Sequence, residues 1–587
     1  MRHVRSLPHH RSTTSSGSAL IDRSYIYGQF PAVAFQSNTS TGPATELEST
    51  INWSLTSTMF QPMSTPEAWS TASRAVLYVL TLSAITFAAY YIIPYVSNKG
   101  KMNDIPGPLV AKFSNLWSLY WARQHQLSWV THDLHNKYGD FVRLAPDHVS
   151  ISHPDSIRDV MGHGNGFTKS EFYYAFDNIQ SGIFTTRDRA AHSRKRKYVS
   201  HMFSPKAMVG FEPYMTSAIG TFAQQMNSLI DTGRAGRYTA LGAVDPEIRA
   251  RQGKGEAAID VAQWSAFLAF DIIGDLAFGE PFGFTALGQD TNGGIKKLRD
   301  RGEWCATIGQ MPWIKTWTPY FFFDSFFTKG LQATKDLAAI GIAKVEKRKL
   351  ASRDSSRRDI LYYLLSARDP DTGGDLPDLE IKAEALTQLI AGSDTTGNTI
   401  THMVDMLCRN PAALKTLQQE LDAAYPDPVE PGFVAMFEDC KDLPFTQGVI
   451  NETLRLRTTV SVGLPRVVPK GGAMVCGRFF EAGTVLSTPT YTTHRDTRVW
   501  GPDALEFKPE RWTRQGSGEL EKAFLGFSYG PRACIGRNVA YMELKKTVAT
   551  LFRLFEYRLV YPEKDSHIRE GFHLKCQELP AFVKRRA

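Results

Sequence analysis

The sequence predicts a mainly α-helical protein with small β-sheets, preceded by a single transmembrane helix. Three observations carry that reading. An uncharged apolar run extends from Ala75 to Pro94, close to the ~20 residues a bilayer core requires. A long helical pattern runs from about Asp378 to Cys408. Strand signals are confined to the start of the body and to the region after about residue 460. Apolar residues make up 42% of the 587, enough for a large core and too many for a disordered chain.

Residues 1–70 are rich in Ser and Thr and lack periodicity, which predicts a disordered tail. Asn38 and Asn52 head N-glycosylation sequons that a lumenal tail would present. Translation from Met59 or Met63 would place the apolar run near the start of the chain. We assign residues 75–96 to a membrane anchor, because the run is uncharged from Arg74 to Lys99 and lies too deep for a signal peptide. Lys99, Lys101 and Lys112 follow it and Arg74 precedes it, which favours a cytosolic C-terminal side. Pro106 and Pro108 then forbid helix continuation and stiffen a hinge. Residues 105–587 read as one catalytic domain.

The net charge of +8 is modest and forms no nucleic-acid stripe; its use would be docking of an acidic partner. Six cysteines without a C-x-x-C pair exclude a zinc ribbon and a redox dithiol, and their sparseness suits a reducing compartment. There is no H-E-x-x-H and no Walker loop, and Gly162, Gly164 and Gly166 have the wrong spacing for a dinucleotide site.

Chemistry concentrates at Cys534, in Phe527-Ser-Tyr-Gly-Pro-Arg532-Ala-Cys534-Ile-Gly536. The glycines allow close approach of the backbone to a flat partner. Arg532 can lower the thiol pKa or pair with an anion. A thiolate held in this way is a soft, strongly donating iron ligand. Inside the long helix stands Ala391-Gly-Ser-Asp394-Thr395-Thr396, poor helix formers that can open the backbone ladder to water or ligand. An acid beside an alcohol can relay protons there. Glu452 and Arg455 are one turn apart, which alone predicts a surface ion pair. His192 to Lys197 is a basic run, which alone reads as a solvated helix face. Residues 233–256 read as a loop.

The Cys534 string resembles the haem-ligand loop of the cytochrome P450 family, F-x-x-G-x-R-x-C-x-G, at every position. The resemblance implies the family fold, haem b as cofactor, and Cys534 as axial thiolate of its iron, with Phe527, Arg532 and Gly536 in the haem pocket. Residues 391–396 match the family's [AG]-G-x-[DE]-T-[TS] pattern, which implies that Asp394 and Thr395 manage protons and bound oxygen. Glu452 and Arg455, with Arg511 in a P-E-R-W segment, match a buried structural network. His192 and Arg196 match the family's propionate donors, and Arg466 is a third. Arg194, Lys195 and Lys197 would then face a reductase. Longer strings, among them residues 270–279 and 463–469, resemble the fungal benzoate 4-monooxygenase branch. That implies para-hydroxylation of a small aromatic acid on the cytosolic face of the endoplasmic reticulum. Electrons would come from NADPH through cytochrome P450 reductase, with cytochrome b5 as a further donor. Substrate contacts are expected from 167–177, where Lys169, Ser170, Tyr173 or Tyr174 could hold a carboxylate, and from 388–392 and 458–463.

Other readings stay open on sequence alone: a fungal secondary-metabolite oxidase, a reductase-independent haem isomerase or dehydratase, or a non-catalytic haem protein.

Overall fold

The protein is described by a computed structural model over residues 66–98, 100–232, 246–350, 357–426 and 428–586. The tail to residue 65 with its sequons at Asn38 and Asn52, and positions 233–245 of the predicted loop, lie outside the described residues. The described residues divide into two units, with the boundary between Leu80 and Thr81.

The first helix, α1 (Pro66–Val96), begins inside the stretch read as tail and contains the apolar run. Its segment Ser73–Tyr90 is long and apolar enough to cross a membrane and is not buried in the protein. After the hinge, strands β1 (Phe141–Ala145), β2 (His148–Ile151) and β3 (Thr168–Lys169) precede α2 (Arg189–Ser200). Then come β4 (Ala257–Asp260), α3 (Val261–Phe278), α4 (Gly294–Ile308), α5 (Ser325–Leu350) and α6 (Asp378–Arg409). The C-terminal part holds α7 (Pro444–Leu456), β5 (Arg466–Val467), β6 (Val485–Ser487), α8 (Arg537–Leu554), β7 (Phe555–Leu559), β8 (Ile568–Glu570), β9 (Leu574–Cys576) and β10 (Pro580–Arg585). The expectation of a helical body with small sheets is met.

The helix starts have local causes. Asp188 accepts from Ala191 N–H at 2.7 Å to cap α2, and Asp260 accepts from Ala262 N–H at 3.0 Å to cap α3. Gly279, at φ 87°, ends α3 in the left-handed region where glycine is favoured. α3 is apolar on almost every face and matches the Ser73–Tyr90 segment of α1 in length and mean hydropathy, yet it is a core helix packed along α6.

α6 is continuous through residues 391–396, so the ladder is not opened there. The hydroxyls bond back one turn instead: Ser393 Oγ donates to Leu389 O and Thr395 Oγ1 to Ala391 O, each at 2.8 Å. The glycines serve packing. A Cβ on Gly392 would sit 2.6 Å from Ile273 Cδ1, and one on Gly397 would sit 3.0 Å from Ser265 O, both on α3.

The main sheet runs β1-β2-β6-β5-β3. Its register sets Lys169 of β3 directly opposite Arg466 of β5. A second sheet, β4-β10-β7, includes the strand after the 233–256 stretch, which sequence patterning did not reveal. β8 and β9 form a hairpin.

Candidate active site

The Cys534 loop is a closed hairpin. Cys534 N–H donates to Phe527 O at 2.9 Å. Gly530, at φ 72°, passes so close to the chain that a Cβ there would collide with Met161 O. α8 then leads away from the loop at Arg537. Cys534 is exposed by surface area, but that surface is the wall of an internal cavity, so the thiol is shielded like a buried group. Burial pushes the thiol up, opposed by the Gly536 N–H and by the charges of Arg196 and Arg537.

Phe527, Gly536, Ala391 and Thr395 line the same cavity. Ala391 is exposed in the middle of a core helix, which marks the cavity face of α6. A Cβ on Gly536 would meet only a Phe203 ring carbon at 3.7 Å, so no protein atom occupies the space beside it.

His192, Arg196 and Arg532 line this cavity, and Arg466 joins them in an adjoining cleft. Arg196 donates to Ala533 O at 3.1 Å, Arg532 to Thr186 O at 2.8 Å and Arg466 to Tyr173 Oη at 2.6 Å, while Lys169 Nζ reaches Phe184 O. Among the described residues none of these four cations has a carboxylate partner. The consequences are electrostatic. Burial and then the charges of Arg466, Arg532 and Arg196 hold Lys169 well below its usual range. Burial and the same cations push His192 down to about 3. Burial and Arg466 push Arg532 down to about 10. Like charges directly opposite across a sheet repel, so Lys169 and Arg466 call for an anion. A sulfur ligand, open space beside Gly536 and a cradle of unpaired cations fit a haem with its carboxylates.

Lys169 thus belongs to the cation cradle. Tyr173 is fully buried against Arg466, and Tyr174 is exposed under Arg187. Ser170 caps a 3-10 turn at Phe172 N–H. Of the predicted substrate segments, Lys169 and Phe176, Gln388 and Gly392, and Thr459 and Val460 reach the cavity.

The basic run of α2 differs from expectation. Arg194 pairs with Glu380 at 2.6 Å and Asp369 at 3.1 Å, and Lys195 is buried against Glu380 and Glu384. Only Lys197 of that trio remains an exposed charge. The acidic start of α6 sits beside α2 and neutralises it.

Asp394 does not face the cavity alone. Its Oδ2 accepts from His573 Nδ1 at 2.9 Å, and Oδ1 pairs with Lys575. One turn on, Asn398 bonds Leu574 O and accepts from Cys576 N–H at 3.2 Å. Residues four apart share a helix face, so α6 grips the β8–β9 hairpin at two points and sets Phe572 and His573 in the cavity wall. Burial alone would raise the Asp394 carboxyl; the Lys575 charge and the His573 hydrogen bond outweigh it and hold the group below the usual carboxylate range. Neither partner carries a sequence signature. Glu543 on α8, pushed up to about 8 by burial and hydrogen-bonded by Thr396, is another acid in the wall that motif reading passed over.

Glu452, Arg455 and Arg511 do come together, in the interior rather than on the surface. Arg455 Nε and Nη2 donate to the two Glu452 oxygens at 2.8 and 2.7 Å. Arg511 Nε and Lys508 N–H donate to Oε1 at 2.9 and 3.0 Å, and Trp512 Nε1 to Oε2 at 2.9 Å.

A cysteine loop under a cavity ringed by unpaired cations defines a haem-thiolate protein. The chain matches the family model for cytochrome P450 over residues 106–585 and belongs to that family. It is a cytochrome P450 monooxygenase, and the family implies a haem-iron cofactor. It is 42% identical over 527 residues to benzoate 4-monooxygenase bphA of Aspergillus niger, covering 87% of this chain and 98% of that protein. It is 29% identical over 487 residues to a cytochrome P450 monooxygenase of Aspergillus terreus, covering 79% and 92% respectively. To cytochrome P450 monooxygenase cicH of Emericella nidulans it is 27% identical over 520 residues, covering 86% and 98%.

Proposed function

We propose that the chain is a membrane-anchored hydroxylase of an aromatic acid, benzoate or a close relative, acting at the para position. The 42% identity to benzoate 4-monooxygenase bphA along almost all of both chains carries this reading. The unburied apolar segment Ser73–Tyr90 supplies the anchor, with residues 105–587 as the cytosolic catalytic domain on the endoplasmic reticulum. NADPH supplies electrons through cytochrome P450 reductase, with cytochrome b5 as a second donor.

Cys534 would hold the iron of a haem, His192, Arg196, Arg466 and Arg532 would hold its propionates, and Phe527 and Gly536 would line its pocket. Haem bound there supplies oxygen binding and O–O cleavage, favoured by donation from the thiolate. O2, a substrate C–H bond, two electrons and two protons give C–OH and water. The chain's own task is to hold the substrate, exclude bulk water and move protons. Thr395 Oγ1 donates to Ala391 O, which leaves its lone pairs open to accept a hydrogen bond from the cavity side. Asp394 and Thr395 are adjacent in α6 and do not face each other, so a water must bridge them. His573 and Lys575 keep Asp394 ionised and oriented.

Because the Asp394 pKa is lowered, the carboxylate stays charged across neutral pH, and its contribution is lost only as pH falls below the usual carboxylate range. Lys575→Met removes the charge that most opposes burial and moves that pKa upward, while the His573 hydrogen bond still holds it down. The acid-side loss of product formation is then expected to begin at a higher pH than in the wild type, with little change on the alkaline side. Lys575→Arg should keep the wild-type profile. A flat profile in Lys575→Met would remove Lys575 from the relay.

The substrate reading is tested by difference spectra of the ferric enzyme with benzoate and with larger aromatic polyketides, followed by turnover with NADPH and reductase. A spin-state change with benzoate and formation of 4-hydroxybenzoate are expected. No spectral change with benzoate would overturn the substrate and leave the monooxygenase class standing.

A further inference from the structure

We propose that Arg301, with Asn178, is the substrate-carboxylate anchor of the cavity, and that the preferred ligand is an aromatic monocarboxylate whose ring lies against Phe176, Phe184 and Phe572. The inference deepens the aromatic-acid reading and rests on it.

Arg301 is on α4, only 4% exposed, and lines the cavity. Its Nη2 donates to Phe176 O at 2.8 Å and its Nε to Asn178 Oδ1 at 3.2 Å. Among the described residues no carboxylate pairs with it. Asp177, one residue from Asn178, does not pair with it: its Oδ2 accepts from Ser181 Oγ at 3.0 Å and its backbone O from Lys315 Nζ at 2.6 Å, while its Oδ1 is buried without a hydrogen-bond partner. Burying a guanidinium without a counter-charge is costly. The two bonds fix the plane of the fork and leave Nη1 without a protein partner, though it is not occluded. The bond into Asn178 Oδ1 also fixes that amide, so its Nδ2 is a second free donor at the cavity wall. Two preset donors, one charged, match the two oxygens of a carboxylate.

The surroundings select the rest of the ligand. Phe176 and Phe572 have ring centroids 4.6 Å apart, and Phe184 lies 5.6 Å from Phe572 and 5.8 Å from Phe176. All three line the cavity. Phe572 N–H donates to Gly302 O at 3.2 Å, which ties the hairpin tip to α4 beside Arg301. The anion donors and the aromatic wall are therefore one assembly, and the same hairpin carries His573, the partner of Asp394. The cation cradle at Lys169 is separate in chemistry: its four cations cluster on one another, whereas Arg301 shares its surroundings with Lys315, whose charge Asp177 offsets.

The test compares ferric-enzyme binding of benzoate, 2-naphthoate and their neutral amides in the wild type, Arg301→Met and Arg301→Lys, each shown to be folded by its ferrous-CO spectrum. The wild type is expected to prefer each acid to its amide by about 30-fold or more. Arg301→Met should lose that preference through weaker acid binding while amide affinity changes by less than about threefold, and Arg301→Lys should recover part of it. Acid preference that persists in a folded Arg301→Met protein would overturn the anchor and leave the aromatic-acid reading intact. Arg301-dependent binding of 2-naphthoate without binding of benzoate would support the anchor and move the substrate to a larger acid. Absence of any acid preference in the wild type would overturn both. Should Arg301→Met fail to fold, Asn178→Leu keeps the same comparison, with a loss of acid preference expected and its full retention counting against the assembly.

Discussion

Cys534→Ala is expected to abolish turnover completely and to lose the thiolate-type spectrum of the ferrous CO complex, while the helical body still folds. The sulfur is the soft ligand of the cavity wall, and no other described cysteine lines that cavity. The loop around it does not depend on the thiol. It is closed by Cys534 N–H to Phe527 O and by the passage of Gly530 under Met161 O, both of which survive truncation of the side chain. Circular dichroism should therefore remain helical while haem content falls. Cys534→Ser separates ligation from packing, since it keeps the size and replaces the soft donor by a hard one. Retention of the thiolate-type spectrum in either variant would refute the assignment of Cys534.

The second large effect is at the Glu452 network. One carboxylate accepts five donors from two arginines, a tryptophan and a backbone amide, with Glu452 and Arg455 both fully buried. Arg455 also donates to His494 O, Ala504 O and Glu506 O, so it joins α7 to the following coil. Removing one member of such a set leaves an unpaired buried charge and costs about 3–5 kcal/mol, a large share of the ~5–15 kcal/mol that holds a protein folded. Glu452→Ala and Arg455→Ala should give little soluble, haem-loaded protein. Arg511→Lys keeps the charge, loses the planar fork, and should lower the thermal midpoint without preventing folding. A soluble Arg455→Ala protein with a wild-type midpoint would show that the network is dispensable. The arrangement fits a structural role, because none of the three side chains lines the cavity.

What could be read from the sequence was whatever a fixed spacing encodes. The Cys534 loop, the Asp394-Thr395 pair and the α7 ion pair lie within a few residues of each other, so local strings preserve them. Arg301 and Asn178 are 123 positions apart, and Asp394 and His573 are 179 apart, so folding alone unites them. The same blindness explains the misread basic run. Arg194 and Lys195 look solvated until α6 delivers Glu380, 186 and 185 positions away. It also explains Gly392, which seemed a weak point in a helix and is a seat for Ile273. The Ser73–Tyr90 segment of α1 and the whole of α3 have the same mean hydropathy, and burial tells them apart.

The grip of α6 on the β8–β9 hairpin has a consequence for assembly. Phe572 and His573 close the wall of a cavity whose lining starts as early as Met161, and β10, the strand after their hairpin, pairs with the far earlier β4 as well as with β7. Such distant pairings form late, because a long loop must close before they are rewarded. The helical scaffold can collapse as soon as its own stretches emerge, but the pocket stays ajar on one side until β10 docks. Capture of a haem is therefore expected only late in folding, once the final strand has docked.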